Sequence, residues 1–284
     1  MSRPSDRVLR SCSSLEGEAR PRPPAQDGSV TATEPKPLSG DEISKLLALA
    51  DEADSLELKV TVPEASQRSA LTALDIDPLD AQIRQVFFFD TPDLLLNEHG
   101  VVARARRSQG RPDDTVVKLR PVVPHELPDH LRKLSEFGVE VDALPGGYVC
   151  SASFKGTLGQ IEVREAAARK RPLRKLFSKG QRSFFSENAP GGVDIDDLAV
   201  LGPIHVLKLK FSPADLARRV VAEMWLYPDG SRILELSTKC APAEGFQVAA
   251  EIKGFLSNHG IDITGEQQTK TATALRFFSD ELSS

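Results

Sequence analysis

GVVARARRSQGRPDDTVVKLRP, residues 100–121, is the stretch that decides the fold. Arg104 and Arg106 are two residues apart, so on a β-strand their side chains share one face. The linking residues SQGRPDD are rich in turn formers, and the returning segment places Lys118 and Arg120 on one face. The stretch predicts a β-hairpin in which each strand carries cations on one face and apolar side chains on the other.

The basic face of this hairpin has two explanations. It could be the solvated face of a half-buried sheet, although such faces usually mix both signs of charge. Like charges that face each other across a ladder repel, and an anion above them would make the arrangement favourable. Arg suits phosphate because its planar fork binds two oxygens at once. The hairpin alone leaves both explanations open, so the other strands must decide.

Composition describes a globular protein with a local rather than a general basic character. The chain has 284 residues, of which 40% are hydrophobic and 27% charged, enough for one large β-rich domain or two ordinary ones. The formal net charge of −5 argues against a nucleic-acid coat protein, so we expect no specific nucleic-acid partner. A basic site inside an acidic shell remains compatible with this charge.

The cysteines and the apolar runs indicate the compartment. Cys12, Cys150 and Cys240 are far apart and lack metal-ligand spacing, and an odd, low number suits a reducing cytoplasm. No apolar run is long enough to span a bilayer, and the first residues have no hydrophobic stretch of the signal-peptide kind. We therefore expect a cytoplasmic location and no membrane partner.

The N-terminal region differs from the rest of the chain. Residues 1–38 are rich in Pro, Ser, Arg and Glu and predict a disordered tail. Ser39 and Glu42 then fit a capping box that starts a short amphipathic helix. Residues 39–284 are predicted to form one domain.

Two more segments repeat the hairpin's pattern of charge. In SLELKVTVP, Glu57 and Lys59 share a face opposite leucines and valines, and in PIHVLKLKF, Lys208 and Lys210 do the same. An exposed ion pair is the commoner explanation for the first segment when it is considered alone.

RRVVAEMWLYPDGSRILELSTKC is the strongest hairpin signal in the chain, with its turn at residues 228–230. Glu223 and Glu235 lie on its two strands. Trp225 and Tyr227 share a face with Glu223, and we prefer to interpret them as a packed aromatic pair. The alternative is a stacking surface for a base or thiazole ring.

The remaining segments are assigned more simply. Residues 85–89 predict a strand and residues 128–137 a short helix, while GGYVCSASFKGTL and GQIEVREAAARKR predict one or two further strands. The basic run at residues 168–182 predicts a solvated helix or loop, with a phosphate contact from Lys179 or Arg182 as the alternative. The residues from 242 to 282 predict helices.

The charged faces of the separate strands have one common explanation if the sheet closes into a barrel. In a barrel they can line a lumen, but a lumen of many cations and a few carboxylates is costly unless it is filled. A polyanion would neutralise the cations, and the carboxylates would hold Mg²⁺ or Mn²⁺, which prefer oxygen ligands.

The order of these segments resembles the CYTH superfamily, also called the triphosphate tunnel metalloenzymes. An acid-x-Lys strand is followed by FFFDTPDLLL, the basic hairpin, LKLK and the hairpin AEMWLYPDGSRILELS, over about residues 53–282. The resemblance implies an α+β fold, namely a closed antiparallel eight-stranded β-barrel, or tunnel, with flanking helices. It also implies binding of a triphosphate group with a divalent cation.

The resemblance also implies roles for single residues. Phosphate binding falls to Arg104, Arg106, Lys118, Arg120, Lys208 and Lys210. Metal binding falls to Glu57, Glu223 and Glu235, while Lys59 and Glu57 are the candidate catalytic residues. The family carries an acid at the position of Ser55 and often one at the position of Ser237, and serine is a poorer ligand for a hard dication.

Several functions remain open at this point. The first hypothesis is a metal-dependent hydrolase of inorganic triphosphate or of an organic triphosphate. The alternatives are a non-catalytic binder of polyphosphate or a nucleotide, and an adenylate cyclase-like enzyme. A structural barrel with a basic lumen ranks last, because buried unpaired cations are expensive to keep.

Overall fold

The computed structural model describes residues 37–263, 267 and 270–282. The predicted disordered tail lies outside the described residues except for its last two positions. The described strands are β1 Ser55–Val62, β2 Gln82–Asp90, β3 Val101–Ser108, β4 Asp113–Leu119, β5 Phe137–Leu144, β6 Gly147–Leu158, β7 Ala199–Phe211, β8 Val220–Leu226 and β9 Arg232–Cys240. The described α-helices are α1 Gly40–Asp51, α2 Gln67–Ala73, α3 Leu95–Glu98, α4 Asp129–Arg132, α5 Glu162–Ala167, α6 Lys179–Asn188, α7 Gly245–Asn258 and α8 Lys270–Leu282.

The strands form a closed barrel in the order β1-β5-β6-β4-β3-β2-β7-β8-β9. The prediction of a closed barrel with flanking helices is confirmed, but eight antiparallel strands is wrong in detail. The described barrel has nine strands and is mixed, because β1 and β5 pair in parallel. All its other neighbouring strands run antiparallel.

Local sequence signals account for most of these elements. Ser39 and Glu42 form the predicted capping box of α1. The basic hairpin becomes β3 and β4, and the turn between β8 and β9 has Gly230 at a φ of 86°. Alternation of apolar and charged residues puts the apolar side chains outside the barrel and the charged ones inside.

Two segments between β4 and β7 differ from the prediction. Residues 128–137 contain only the short helix α4, and β5, which was not predicted, begins at Phe137. GGYVCSASFKGTL forms β6 as predicted, but GQIEVREAAARKR contains the helix α5 rather than a strand. Three consecutive alanines favour a helix there.

Helices cover the outside of the barrel through its apolar face. Phe184 and Phe185 of α6 join one core cluster with residues of β2 to β6. Phe255 and Leu256 of α7 join a second cluster with β1, β8 and β9. These contacts fix the barrel strands from outside, so the inward-facing side chains are held in place.

A third apolar cluster lies at one end of the barrel interior. It joins Ala274, Leu275 and Phe278 of α8 to side chains of β2, β3, β7, β8 and β9. Four of these side chains, which also line the lumen, are Val86, Val102, Val206 and Trp225. We call the whole cluster, including these residues of α8, the apolar plug; it packs α8 against five of the nine described strands at this end of the barrel.

Candidate functional site

The lumen holds a cavity of about 510 Å³ to which all nine described strands contribute side chains. Among the described residues, twelve cationic and five acidic side chains line it. The cations are Lys59, Arg84, Arg104, Arg106, Lys118, Arg120, Lys155, Lys208, Lys210, Arg219, Lys239 and Lys270. The acids are Glu57, Glu140, Asp142, Glu223 and Glu235. The cavity is therefore strongly positive although the whole chain has a net charge of −5.

The structure brings ten of the eleven predicted site residues to this cavity, and Arg182 is the exception. Arg182 lies on α6, where its guanidinium donates a hydrogen bond of 2.7 Å to the carbonyl oxygen of Phe177. This contact links α6 to the turn before it. It agrees with the interpretation of the basic run as a helix or loop rather than as a phosphate site.

Arg104 makes no ion pair with a described carboxylate and belongs to a row of cations in the lumen that we call the basic wall, namely Arg104, Arg106, Lys118 and Arg120. Its neighbour Arg106, in contrast, is paired with Asp114 at 2.9 Å. Burial, followed by the positive charge of Arg106, lowers the pKa of Arg104 to about 10. An anion in the cavity would remove this repulsion and supply the missing hydrogen-bond acceptors.

Gly100 determines where the predicted phosphate ligand Arg120 can lie. Its φ is +73°, and its carbonyl oxygen accepts a 2.9 Å hydrogen bond from the backbone N–H of Arg120. A methyl group on Gly100 would lie 2.1 Å from the carbonyl oxygen of Arg120. Glycine is thus required for this close approach of the two backbones.

Three carboxylates converge across the parallel seam between β1 and β5. Oxygen atoms of Glu57, Glu140 and Asp142 all lie within 4.8 Å of one another. Lys59 Nζ lies 2.8 Å from Asp142 and 3.3 Å from Glu57. Ser55, where the CYTH pattern has an acid, donates a 3.3 Å hydrogen bond to Glu140. This oxygen-only donor set fits a hard divalent cation such as Mg²⁺ or Mn²⁺.

The nearby lysines favour the ionised form of Asp142. Burial alone would raise the pKa of Asp142, but Lys118 and Lys59 outweigh it and lower the pKa. Burial would lower the pKa of Lys59, but Asp142 and Glu57 raise it above its ordinary value. Lys59 therefore remains a cation and has no free lone pair with which to accept a proton.

Glu223 and Glu235, the other two predicted metal ligands, lie directly opposite each other on β8 and β9. Lys270 Nζ bridges them, at 2.5 Å from Glu223 and 2.7 Å from Glu235. Lys208 holds the second oxygen of Glu223 at 2.6 Å. Burial would raise the pKa of Glu223, but Lys270 and Lys208 hold it well below its usual value.

Sequence reasoning missed several of the lining residues. Glu140 and Asp142 alternate with Val139 and Val141, which is the signal of a strand with a charged inner face. Lys270 carries no comparable signal, because it starts a helix and reaches the lumen only through the packing of α8.

Comparisons with solved structures support the fold. A Hippeastrum protein, HpAC1, described as an adenylyl cyclase homologue with a dominant triphosphatase activity, aligns over 78% of this chain and 94% of its own, with a TM-score of 0.57 and 19% identity. A candidate adenylate cyclase from Bacillus halodurans aligns over 79% and 97%, with a TM-score of 0.55 and 15% identity. This chain shares the fold of these two proteins. The resemblance inferred from the order of its strand motifs is thereby borne out.

Two further comparisons find no relative of this chain. No protein-family model matches the sequence, and a search of curated proteins finds no match. Among the described residues, no helix has both the length and the apolar character needed to cross a membrane.

Proposed function

We propose that this protein is a metal-dependent hydrolase that cleaves a terminal phosphate from a triphosphate group bound in the barrel lumen. The observation that carries the proposal is the excess of cations over carboxylates in the cavity, centred on the unpaired Arg104. A chain of phosphates is the ligand class that matches several convergent Arg and Lys side chains. The fold shared with HpAC1, a protein with triphosphatase activity, supports the same conclusion.

The side chains divide the work by their position. Arg104, Arg106, Lys118 and Arg120 line one wall and would bind the phosphate oxygens. Such fixed positive charges stabilise the charge that develops as a phosphoric anhydride bond breaks.

Glu57, with Glu140 and Asp142 beside it, is the proposed ligand set for Mg²⁺ or Mn²⁺. A divalent ion held there would supply charge neutralisation for the phosphates. Lys59, which these acids keep protonated, would orient the terminal phosphate or the attacking water by hydrogen bonding rather than by removing a proton.

The packing of Trp225 favours a ligand made mainly of phosphate over one recognised by its base. Trp225 is the aromatic side chain among the described residues lining the cavity, and it is only 3% exposed. Its indole N–H donates to Glu223 at 3.3 Å, and its ring packs near Phe88. This geometry agrees with the packed-aromatic interpretation, which leaves little ring surface for a base and makes the cyclase-like alternative less favoured.

The test is phosphate release from tripolyphosphate with and without Mg²⁺ or Mn²⁺. We expect metal-dependent release that Glu57→Gln and Arg106→Ala reduce at least a hundredfold, with Glu64→Gln and Arg68→Ala as exposed matched controls. Absence of release from tripolyphosphate, ATP and thiamine triphosphate under all metal conditions would contradict a hydrolase.

The second candidate is a non-catalytic binder of polyphosphate or a nucleotide. It is favoured by Ser55 and Ser237, which stand where the CYTH pattern has acids, because fewer acids mean weaker metal affinity. A binder would retain tripolyphosphate in a titration and return it unchanged.

A further inference from the structure

The feature that carries a further inference is the contact of Lys270 with two acids of the barrel wall. Glu223 and Glu235 are direct cross-strand neighbours, and two like charges in that position repel. Their side chains are only 13% and 6% exposed, so water screens the repulsion poorly. A cation between them is therefore needed in the folded protein, and the chain provides one itself.

We propose that Lys270 is a resident cation that takes the place of a divalent metal ion between Glu223 and Glu235. Its ammonium contacts both carboxylates, and Lys208 contacts the remaining oxygen of Glu223. The two lysines together bring the two positive charges that one divalent ion would bring. These contacts are shorter than the 3.3 and 2.8 Å that separate Lys59 from Glu57 and Asp142, so metal binding in the lumen is left to the latter acids.

The side chain of Lys270 is held by its surroundings and is not a flexible surface side chain. Its side chain is 14% exposed, and its ammonium lies 5.2 Å from the centre of the Trp225 ring. The hydroxyl of Tyr227 donates a 3.1 Å hydrogen bond to its backbone carbonyl oxygen. The following turns of α8 are anchored in the apolar plug through Ala274, Leu275 and Phe278.

The electrostatics of the group agree with a permanent arrangement. Burial would lower the pKa of Lys270, but Glu223 and Glu235 raise it above its ordinary value. A metal ion could enter between the two acids only by displacing an ammonium that the apolar plug holds in place.

The experiment counts Mn²⁺ ions bound per chain by an electron paramagnetic resonance titration at neutral pH, without phosphate ligand. Lys270→Met should bind one more Mn²⁺ than the unaltered protein, since it frees the carboxylate pair. Lys270→Arg, which keeps the charge, should show no gain. Arg276→Met removes an exposed charge from the same helix and should leave the number unchanged.

Glu235→Gln supplies a second, independent arm. In the otherwise unaltered protein it should leave the number and affinity of bound Mn²⁺ unchanged, whereas combined with Lys270→Met it should remove the gained site. The proposal is overturned if Glu235→Gln alone weakens Mn²⁺ binding, or if folded Lys270→Met gains no ion. Should Lys270→Met not fold, Glu235→Gln alone still decides.

This inference concerns the same cavity as the proposed hydrolase but is tested apart from it. The titration contains no phosphate, so a protein without hydrolase activity can still gain a Mn²⁺ site in Lys270→Met. An active hydrolase whose Mn²⁺ binding depends on Glu235 would refute only the role of Lys270.

Discussion

At the scale of one residue, Arg104 illustrates how an unpaired buried cation that would suit an anion lowers the stability of the ligand-free protein. Its charge is buried, unpaired among the described carboxylates and close to Arg106. Replacing a buried charged group of this kind by an apolar one often makes the protein more stable. Bound phosphate would relieve the same repulsion, so stability and ligand binding should change in opposite directions.

Arg104→Met is expected to raise the unfolding free energy of the ligand-free protein by about 1 kcal/mol. It should also weaken tripolyphosphate binding about tenfold or more, because a charge-assisted hydrogen bond is lost. Urea unfolding and calorimetric titration measure the two effects. Arg68→Met, an exposed control on α2, should change neither. A less stable Arg104→Met protein would contradict this account of the basic wall.

Glu223 predicts how stability depends on pH. Its pKa in the folded protein is well below the usual 4.5, so its contribution is complete above pH 4.5 and is lost as the pH falls below that value. Glu223→Gln should therefore lose less stability between about pH 7 and about pH 3.5 than the unaltered protein. Urea midpoints at the two pH values measure this difference, with Glu64→Gln as an exposed control. Equal losses in both proteins would argue against the two lysine contacts.

At the scale of an element, the hairpin of β3 and β4 predicts the effect of replacing Gly100. Gly100→Ala should destabilise the protein by about 2 kcal/mol or more and weaken tripolyphosphate binding, since the new methyl group collides with the backbone of Arg120. Gly110 is the matched control in the turn of the same hairpin, with a φ of +68° and no atom within 4 Å of an added methyl group. Gly110→Ala should cost about 1 kcal/mol and leave binding unchanged. Equal effects of the two changes would show that the close approach to Arg120 is unimportant.

Elements whose signal is local were predictable from the sequence, and those decided by packing were not. The strands of the two hairpins alternate over seven or more residues with turn formers between them, so their inner faces and most of the site could be predicted. In β5 the acids Glu140 and Asp142 belong to a much shorter alternation, which a neighbouring helix prediction hid. In α5, Ile161 and Val163 imitate a strand just before the alanines.

Lys270 was beyond sequence reasoning for a different reason. It meets Glu223 and Glu235 only because α8 folds back over the barrel end, and no spacing along the chain records that contact. Arg182 shows the reverse, since a basic run suggested a phosphate contact while the packing of α6 directs this side chain to Phe177.

At the scale of the whole molecule, the packing of α8 into the apolar plug predicts that the lumen is accessible from one end. A linear phosphate chain would then enter by its terminus and could not pass through the barrel. Long polyphosphate should compete with tripolyphosphate in proportion to the concentration of its chain ends, not of its phosphate units. Competition titrations with chains of two defined lengths measure this. Inhibition that follows total phosphate units would contradict entry by the terminus.

The parallel seam between β1 and β5 ties the proposed chemistry to the completion of folding. Glu57 and Asp142 are direct neighbours across this seam, although 85 positions separate them in the sequence. On its other side β1 pairs with β9, so both partners of this first strand come from far along the chain. Long-range pairings of this kind form late because the intervening loops must close first. A nascent or partly opened chain would thus form its basic hairpin before Glu57 and Asp142 come together. It would bind phosphate before it could hydrolyse a triphosphate.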